Sequence, residues 1–211
     1  MSAPDLLPER RRARKRHCPW LPRGGLPLND ALAGRRSVRS FSEQQLAPDA
    51  LGALLWAGGG TAAGFPDAVA SATRTYPSAG GLDPLRLLLV QGSRLYRYLP
   101  EEHRLLPVRD DLDRAALTAA CLGQGCVDGA PVVLVIAAEM AVTRARYGEA
   151  ARDYVLIEAG HSGQNILLQA TSLGLGAVPV GAFNQSDLAG VLELDPELTP
   201  VYVIPVGYPG D

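Results

Sequence analysis

Arg35, Ser37 and Arg39 alternate along a stretch with no helical period, and an extended backbone there would turn all three to one side while Arg36 points the other way. Two guanidiniums and a hydroxyl on one side suit a phosphate or an extended polyhydroxyl chain, because guanidinium donors meet oxyanions in pairs. The plainer alternative is a solvated helix exit. A second chemically rich segment, Arg74-Thr75-Tyr76-Pro77-Ser78-Ala79-Gly80-Gly81, puts a proline, hydroxyls and paired glycines into non-regular backbone immediately before a strand. His161 and Gln164 are three residues apart and share a face of any helix that carries them, where a satisfied interface pair is the plainer reading.

Other chemistries are excluded by context. Lys15 is the only lysine and lies in a basic run, which removes amine nucleophiles from the body of the chain. Gly58 to Gly64 is glycine-rich but follows a helical pattern instead of a strand and lacks a Walker lysine, so it reads as a flexible connection. Gly160-His161-Ser162-Gly163 lacks one residue of a nucleophile elbow and falls inside a helical run. His17, His103 and His161 are scattered, so no metal centre is expected. Cys18, Cys121 and Cys126 are an odd set without ligand spacing; Cys121 and Cys126 are expected as small core residues, and a reducing, cytoplasmic setting fits.

The elements that must position these residues follow from pattern. The chain has 211 residues, 47% hydrophobic and 20% charged, which suits one globular domain. Residues 1–28 gather arginines, prolines and glycines and read as a basic arm; 29–211 form the domain. The arm has no interleaved aromatics, which favours a solvated tail over a nucleic-acid contact. No apolar run is long enough for a membrane span or a secretion signal. A short helix capped by Asn29 or Asp30 runs to Gly34, and a second starts at Pro48 and stops at Gly58-Gly59-Gly60. Strands are expected at Leu85–Val90, Leu95–Leu99, His103–Val108, Val132–Ala137, Gly176–Val180 and Val201–Val206. The unbroken apolar run Val132–Ala137 marks a central strand covered on both faces. Helices are expected at about Leu112–Leu122, Glu149–Leu173 and Gln185–Leu192. Ala159, Gly160 and Gly163 make one surface of the long helix small enough for another helix to approach closely. Interleaved strands and helices give an α+β (α/β-like) fold, a central sheet flanked by helices.

Three ordered blocks, Arg35-Arg36-Ser37-Val38-Arg39-Ser40-Phe41, Pro77-Ser78-Ala79-Gly80-Gly81 and Gly174-Leu175-Gly176-Ala177-Val178-Pro179-Val180-Gly181-Ala182-Phe183, resemble the nitroreductase-like FMN oxidoreductases. Glu158-Ala159-Gly160-His161-Ser162-Gly163-Gln164-Asn165 and the ending Pro205-Val206-Gly207 extend the resemblance from about residue 29 to 207. The long-helix block and Tyr147-Gly148 are similar to the subgroup that oxidises azolines in modified peptides. The resemblance implies a central mixed sheet and a homodimer with one FMN in each of two interface sites. It places Arg35, Ser37 and Arg39 at the phosphate, ribityl chain and pyrimidine edge, with Arg36 in the same block. Pro77, Ser78, Ala79 and Gly80 fall beside the ring, Gln164 on the long helix, and Val180, Gly181 and Ala182 at the strand end facing the flavin. Arg146 and Tyr147 match a Lys-Tyr pair that the resemblance to the azoline-oxidising subgroup sets at proton removal; arginine is no neutral base, so Tyr147 is left to donate or relay a proton, or simply to bury its ring and wet its hydroxyl.

The implied activity is hydride transfer through flavin N5 from NAD(P)H to a nitro, quinone or similar small acceptor. Peptide azoline oxidation is one alternative, and a low-turnover flavin-binding or partner-binding subunit is another. Two departures bear on the site. Gly81 and Gly181-Ala182 stand where nitroreductases often carry asparagine and a Glu-Gly pair. The ending Tyr208-Pro209-Gly210-Asp211 lacks the basic residue that often meets the phosphate, so Arg36 or an arm arginine would have to substitute.

Overall fold

The computed structural model describes residues 25–61 and 74–210. Its frame is a six-stranded sheet of β1 (Leu85–Gln91), β2 (Arg94–Leu99), β3 (Arg104–Arg109), β4 (Val132–Glu139), β5 (Gly176–Ala177) and β6 (Leu198–Gly207), in the order β3-β2-β1-β4-β6-β5. All named strands pair antiparallel. The mixed character implied by the resemblance is thereby corrected to one parallel bridge, between Ser37 and Ala177.

Alternation along β4 builds two cores. Val133, Val135 and Ala137 face one side with Leu88, Val90, Leu117, Val127 and Leu188; Val132, Leu134 and Ile136 face the other with Leu54, Leu87, Leu89, Ile166 and Leu167. Residues 132–138 are all buried, as a strand covered on both faces requires. The first side is roofed by α3 (Arg114–Ala120), α4 (Gly125–Asp128) and α7 (Gln185–Val191), the second by α2 (Pro48–Gly59) and the 22-residue α6 (Ala151–Ser172). Cys121 and Cys126 are buried in the first core, where burial pushes the Cys121 thiol up to about 11. Such a thiol supplies no thiolate near neutrality.

Several local expectations are revised. The first helix, α1 (Leu28–Gly34), starts behind Pro27, whose carbonyl accepts the Asp30 and Ala31 amides, so neither Asn29 nor Asp30 caps it. Asp113 and Asn184 do cap, each accepting two amides at the starts of α3 and α7. The helix expected to reach Leu122 ends at Ala120, because Leu122 and Gly123 take positive φ. Helix α5 (Met140–Tyr147) follows β4 directly, and a 3-10 turn at Gly148–Ala150 precedes α6. The strand expected at Gly176–Val180 is two residues long, with a separate bridge from Val180 to Val203.

The small residues of α6 also work differently from expectation. A Cβ on Gly163 would meet the Tyr202 ring at 2.9 Å, so this glycine admits a side chain of β6 and no helix, while Gly160 is exposed. Gly58 is part of α2, not of a flexible connection; a Cβ there would lie 2.7 Å from Ile166 of α6. Residues 1–24, most of the arm and including His17 and Cys18, and residues 62–64 of the glycine-rich stretch lie outside the described residues.

Candidate functional site

The first and third blocks meet at the β5 edge. Ser37 bridges Ala177, the Val38 amide donates to the Ala177 carbonyl at 3.1 Å, and the Val38 side chain lies over Gly176 so closely that a Cβ there would be 2.6 Å from it. The following residues zip onto the chain end: Phe41 bridges Pro209, and the Ser42 amide donates to the Tyr208 carbonyl. Along the same edge Val180 exchanges two backbone hydrogen bonds with Val203 and delivers Gly181 and Ala182 to the surface. Gln124, which sequence reasoning passed over, fixes this turn by donating to the carbonyls of Ala182 (2.8 Å) and Cys121 (2.9 Å).

This edge is rich in uncommitted donors. Arg35, Ser37 and Arg39 make no side-chain hydrogen bond or ion pair among the described residues, and the amides of Gly181 and Ala182 have no backbone acceptor there. Arg36 is engaged: its guanidinium donates to the carbonyls of Ala33 and Arg35, each at 2.8 Å, and closes the end of α1. Two free guanidiniums, a hydroxyl and two exposed amides fit an anionic ligand with a polar edge; Arg36 commits Nη1 alone to the end of α1.

The second block lies elsewhere. Pro77–Gly81 is anchored on α6: the Ala79 amide donates to Glu158 Oε1 at 2.8 Å, and the Asp83 amide donates to Ser78 Oγ at 2.9 Å. Gly80 and Gly81 take φ of +63° and +65°, a region that glycine enters without steric cost. The Arg146 guanidinium and the Tyr147 hydroxyl close over Gly80, where a Cβ would be 2.7 Å from Arg146 Nη1 and 2.8 Å from Tyr147 Oη. Arg146 also donates to the Gly80 carbonyl at 3.4 Å, and the Tyr147 ring packs edge-on against Tyr154, with centroids 4.9 Å apart. The structure thus brings Arg146 and Tyr147 to the loop that the resemblance sets beside the flavin.

Glu158 belongs to a polar row that pattern reading did not single out. Glu158, Ser162 and Asn165 follow one helical face. They engage the Ala79 amide, the Gly58 carbonyl and the Thr75 carbonyl, respectively. Glu158 is only 3% exposed, and its Oε2 has no hydrogen-bond partner among the described residues. Burial raises its pKa above the ordinary carboxyl range, against the opposing pull of the Ala79 amide and the Ser78 hydroxyl. His161 and Gln164 lie on the exposed side of α6, beside Ile157, which is 55% exposed.

The two blocks are anchored at separate places on α6. Gly34, just before Arg35, packs at Thr171 near the end of α6, whereas the loop is held at Glu158. At a rise of 1.5 Å per residue the two anchors are about 20 Å apart along the helix.

A cavity of about 370 Å³ between α2 and the ends of β1 and β2 is lined by Arg74, Tyr76, Asp83 and Glu101. Arg74 there meets Glu101 at 2.8 Å and Asp83 at 3.8 Å, Arg86 turns to Glu139, and Arg97 Nε is buried with no hydrogen-bond partner among the described residues. Burial, reinforced by the Asp83 charge, raises the Tyr76 phenol far above its ordinary value. Among the described residues no three His, Cys, Asp or Glu gather as metal ligands, and no helix is long and apolar enough to cross a membrane.

An antiparallel sheet roofed by helices on both faces, with uncommitted donors at one edge, is an α+β architecture. The nitroreductase family model matches residues 32–208, and the chain belongs to the nitroreductase family. A Methanocaldococcus jannaschii protein bearing the nitroreductase name is 36% identical over 190 residues, covering 86% of this chain and 91% of its own length. A Ralstonia eutropha crystal structure bearing the same name superposes with a TM-score of 0.77 at 28% identity, over 90% of this chain and 89% of that one. A Desulfovibrio desulfuricans nitroreductase structure in complex with FMN is similar with a TM-score of 0.64 at 25% identity, over 88% of each chain.

Proposed function

We propose that the protein is an FMN-dependent oxidoreductase that takes reducing equivalents from NAD(P)H and passes them to a small nitro, quinone or similar acceptor. The observation that carries this reading is the β5 edge, where Arg35, Ser37 and Arg39 are held against Ala177 with their polar groups uncommitted. The guanidiniums of Arg35 and Arg39 and the hydroxyl of Ser37 would hold the phosphate, ribityl chain and pyrimidine edge, and the amides of Gly181 and Ala182 would supply backbone donors. When bound, FMN supplies hydride exchange at its N5.

The Pro77–Gly80 loop completes the site from a second copy of the chain. The separation of about 20 Å between the two anchors on α6 supports this arrangement. So does the exposed face of α6, where Tyr154 and Ile157 are 38% and 55% exposed and run on to His161 and Gln164. An arginine at position 146 offers no neutral base, which favours reduction of small acceptors over azoline oxidation requiring a base at that position.

The visible spectrum of the purified protein, supplemented with FMN if colourless and then given NADPH or NADH anaerobically, tests the reading. Bound flavin that bleaches is the expected result; failure to bind FMN, or bound flavin that neither nucleotide reduces, refutes it. Arg39→Ala removes charge-assisted hydrogen bonds, each contributing about 1.5–3 kcal/mol, and is expected to weaken FMN binding roughly 10- to 150-fold. Unchanged flavin affinity in this variant overturns the assignment of the first block.

A further inference from the structure

The Arg146–Tyr147 pair is not needed to hold a phosphate, yet its two polar tips converge on one point. Arg146 Nη1 and Tyr147 Oη each lie within 3 Å of the place where Gly80 lacks a Cβ. The phenol is braced there by the Tyr154 ring, which is itself partly exposed. Arg146 has no carboxylate partner among the described residues; its one hydrogen bond there is the long one to the Gly80 carbonyl. A guanidinium at a helix C-terminus gains something from the helix dipole alone, but that gain does not require it to reach across to a loop 66 residues away in sequence. Two hydrogen-bond donors directed over an exposed glycine, one carrying a permanent positive charge, match a group with two oxygens and a negative charge. The adjoining tyrosine rings offer an aromatic body something to pack against.

We propose that Arg146 and Tyr147 form a carboxylate-binding site over Gly80, which selects aromatic acceptors bearing a carboxylate over neutral ones of the same shape. The inference rests on the flavoenzyme reading for its place beside the cofactor. The geometry of the pair itself does not depend on that reading.

Isothermal titration of 4-nitrobenzoate and 4-nitrobenzamide into the protein as purified, without reductant, tests it, with flavin content read from the visible spectrum of the same sample. The carboxylate is expected to bind about tenfold more tightly than the amide, the scale of one charge-assisted hydrogen bond. Arg146→Gln is expected to bring the two affinities together, while Arg144→Gln, an exposed arginine in the same last turn of α5, keeps them apart. Equal affinities in the parent protein, or a preference that survives Arg146→Gln, overturns the proposal. A carboxylate preference in a sample that takes up no FMN supports the site and removes the flavoenzyme reading, so the two fail separately.

Discussion

Gly80→Ala and Gly81→Ala form a matched pair that separates backbone strain from displacement of the two donors over the loop. Both glycines hold nearly the same left-handed φ, +63° and +65°, so an added Cβ strains either by about 1–2 kcal/mol. For a chain of this size each kcal/mol lowers the melting temperature by about 2–4 °C, so both variants should melt about 2–8 °C below the parent. The surroundings differ. At Gly81 nothing lies within 4 Å of the new Cβ, whereas at Gly80 it falls 2.7 Å from Arg146 Nη1, 3.0 Å from Arg146 Cζ and 2.8 Å from Tyr147 Oη. These are the far ends of long side chains, so they swing aside at little cost in stability but leave the position over the loop. The assay is thermal melting followed by steady-state kcat/KM for 4-nitrobenzoate against 4-nitrobenzamide. The two variants should melt together, and only Gly80→Ala should lose the preference of about tenfold for the carboxylate. Equal acceptor kinetics in the two variants, or a far larger loss of stability in Gly80→Ala, would refute the reasoning.

Gly176→Ala sets a Cβ 2.6 Å from Val38 Cβ, which is fixed to its backbone and cannot rotate away. The Arg35–Arg39 segment should lift from β5, with a stability loss of about 1–3 kcal/mol and a weakened FMN titration; native flavin affinity would show that the edge is not the cofactor site. Glu158→Gln keeps an oxygen for the Ala79 amide and removes the buried charge. Because the folded carboxyl has a raised pKa, the native state binds more protons than the unfolded one between the ordinary 4.5 and the raised value, so parent stability falls as pH rises through that window. The melting temperature of Glu158→Gln should match the parent near pH 4 and exceed it at pH 8, and a difference that shrinks with rising pH would contradict the assignment. Ile157→Glu places a charge on the exposed face of α6. Light scattering should then report a smaller species and flavin titration a weaker affinity, whereas a flavin-loaded monomer would remove the site shared between copies.

Most of the sheet was legible because its signals are local. Val132–Ala137 is an uninterrupted apolar run, and Leu95–Leu99 sits one short turn from the preceding strand, so the central strand and the hairpin follow from the chain alone. Helix α5 was not legible: Met140 follows Glu139 of β4 without a turn, and no side chain caps the start. The extent of β5 was obscured because its backbone partners lie on β6 and on Ser37, far away in sequence. At the candidate site, the alternation of Arg35, Ser37 and Arg39 could be read, but the engagement of Arg36 Nη1 at the end of α1 could not. Nothing in residue types distinguishes a guanidinium that reaches back to Ala33 from one that reaches out. Gln124 was hidden for the same reason, since its anchoring of Ala182 spans 58 residues.

The long helix explains why the readable blocks were not a readable site. In a sequence, Glu158, Ser162 and Asn165 look like the polar side of a surface helix. In the fold they are turned inward and satisfy an amide of Ala79 and carbonyls of Gly58 and Thr75, groups that would otherwise be left without partners as α6 packs over the sheet. This fixes where the Pro77–Gly81 loop can sit, near the start of α6, while the packing of α1 on Thr171 fixes Arg35 near its end. The apolar groups left uncovered, Tyr154, Leu156 and Ile157, lie on the loop-bearing half of the same helix. A second copy laid on that half would cover them and bring its own loop toward the donors at the β5 edge. The helix would then serve both as the frame that holds the loop and as the surface that carries it to a neighbour.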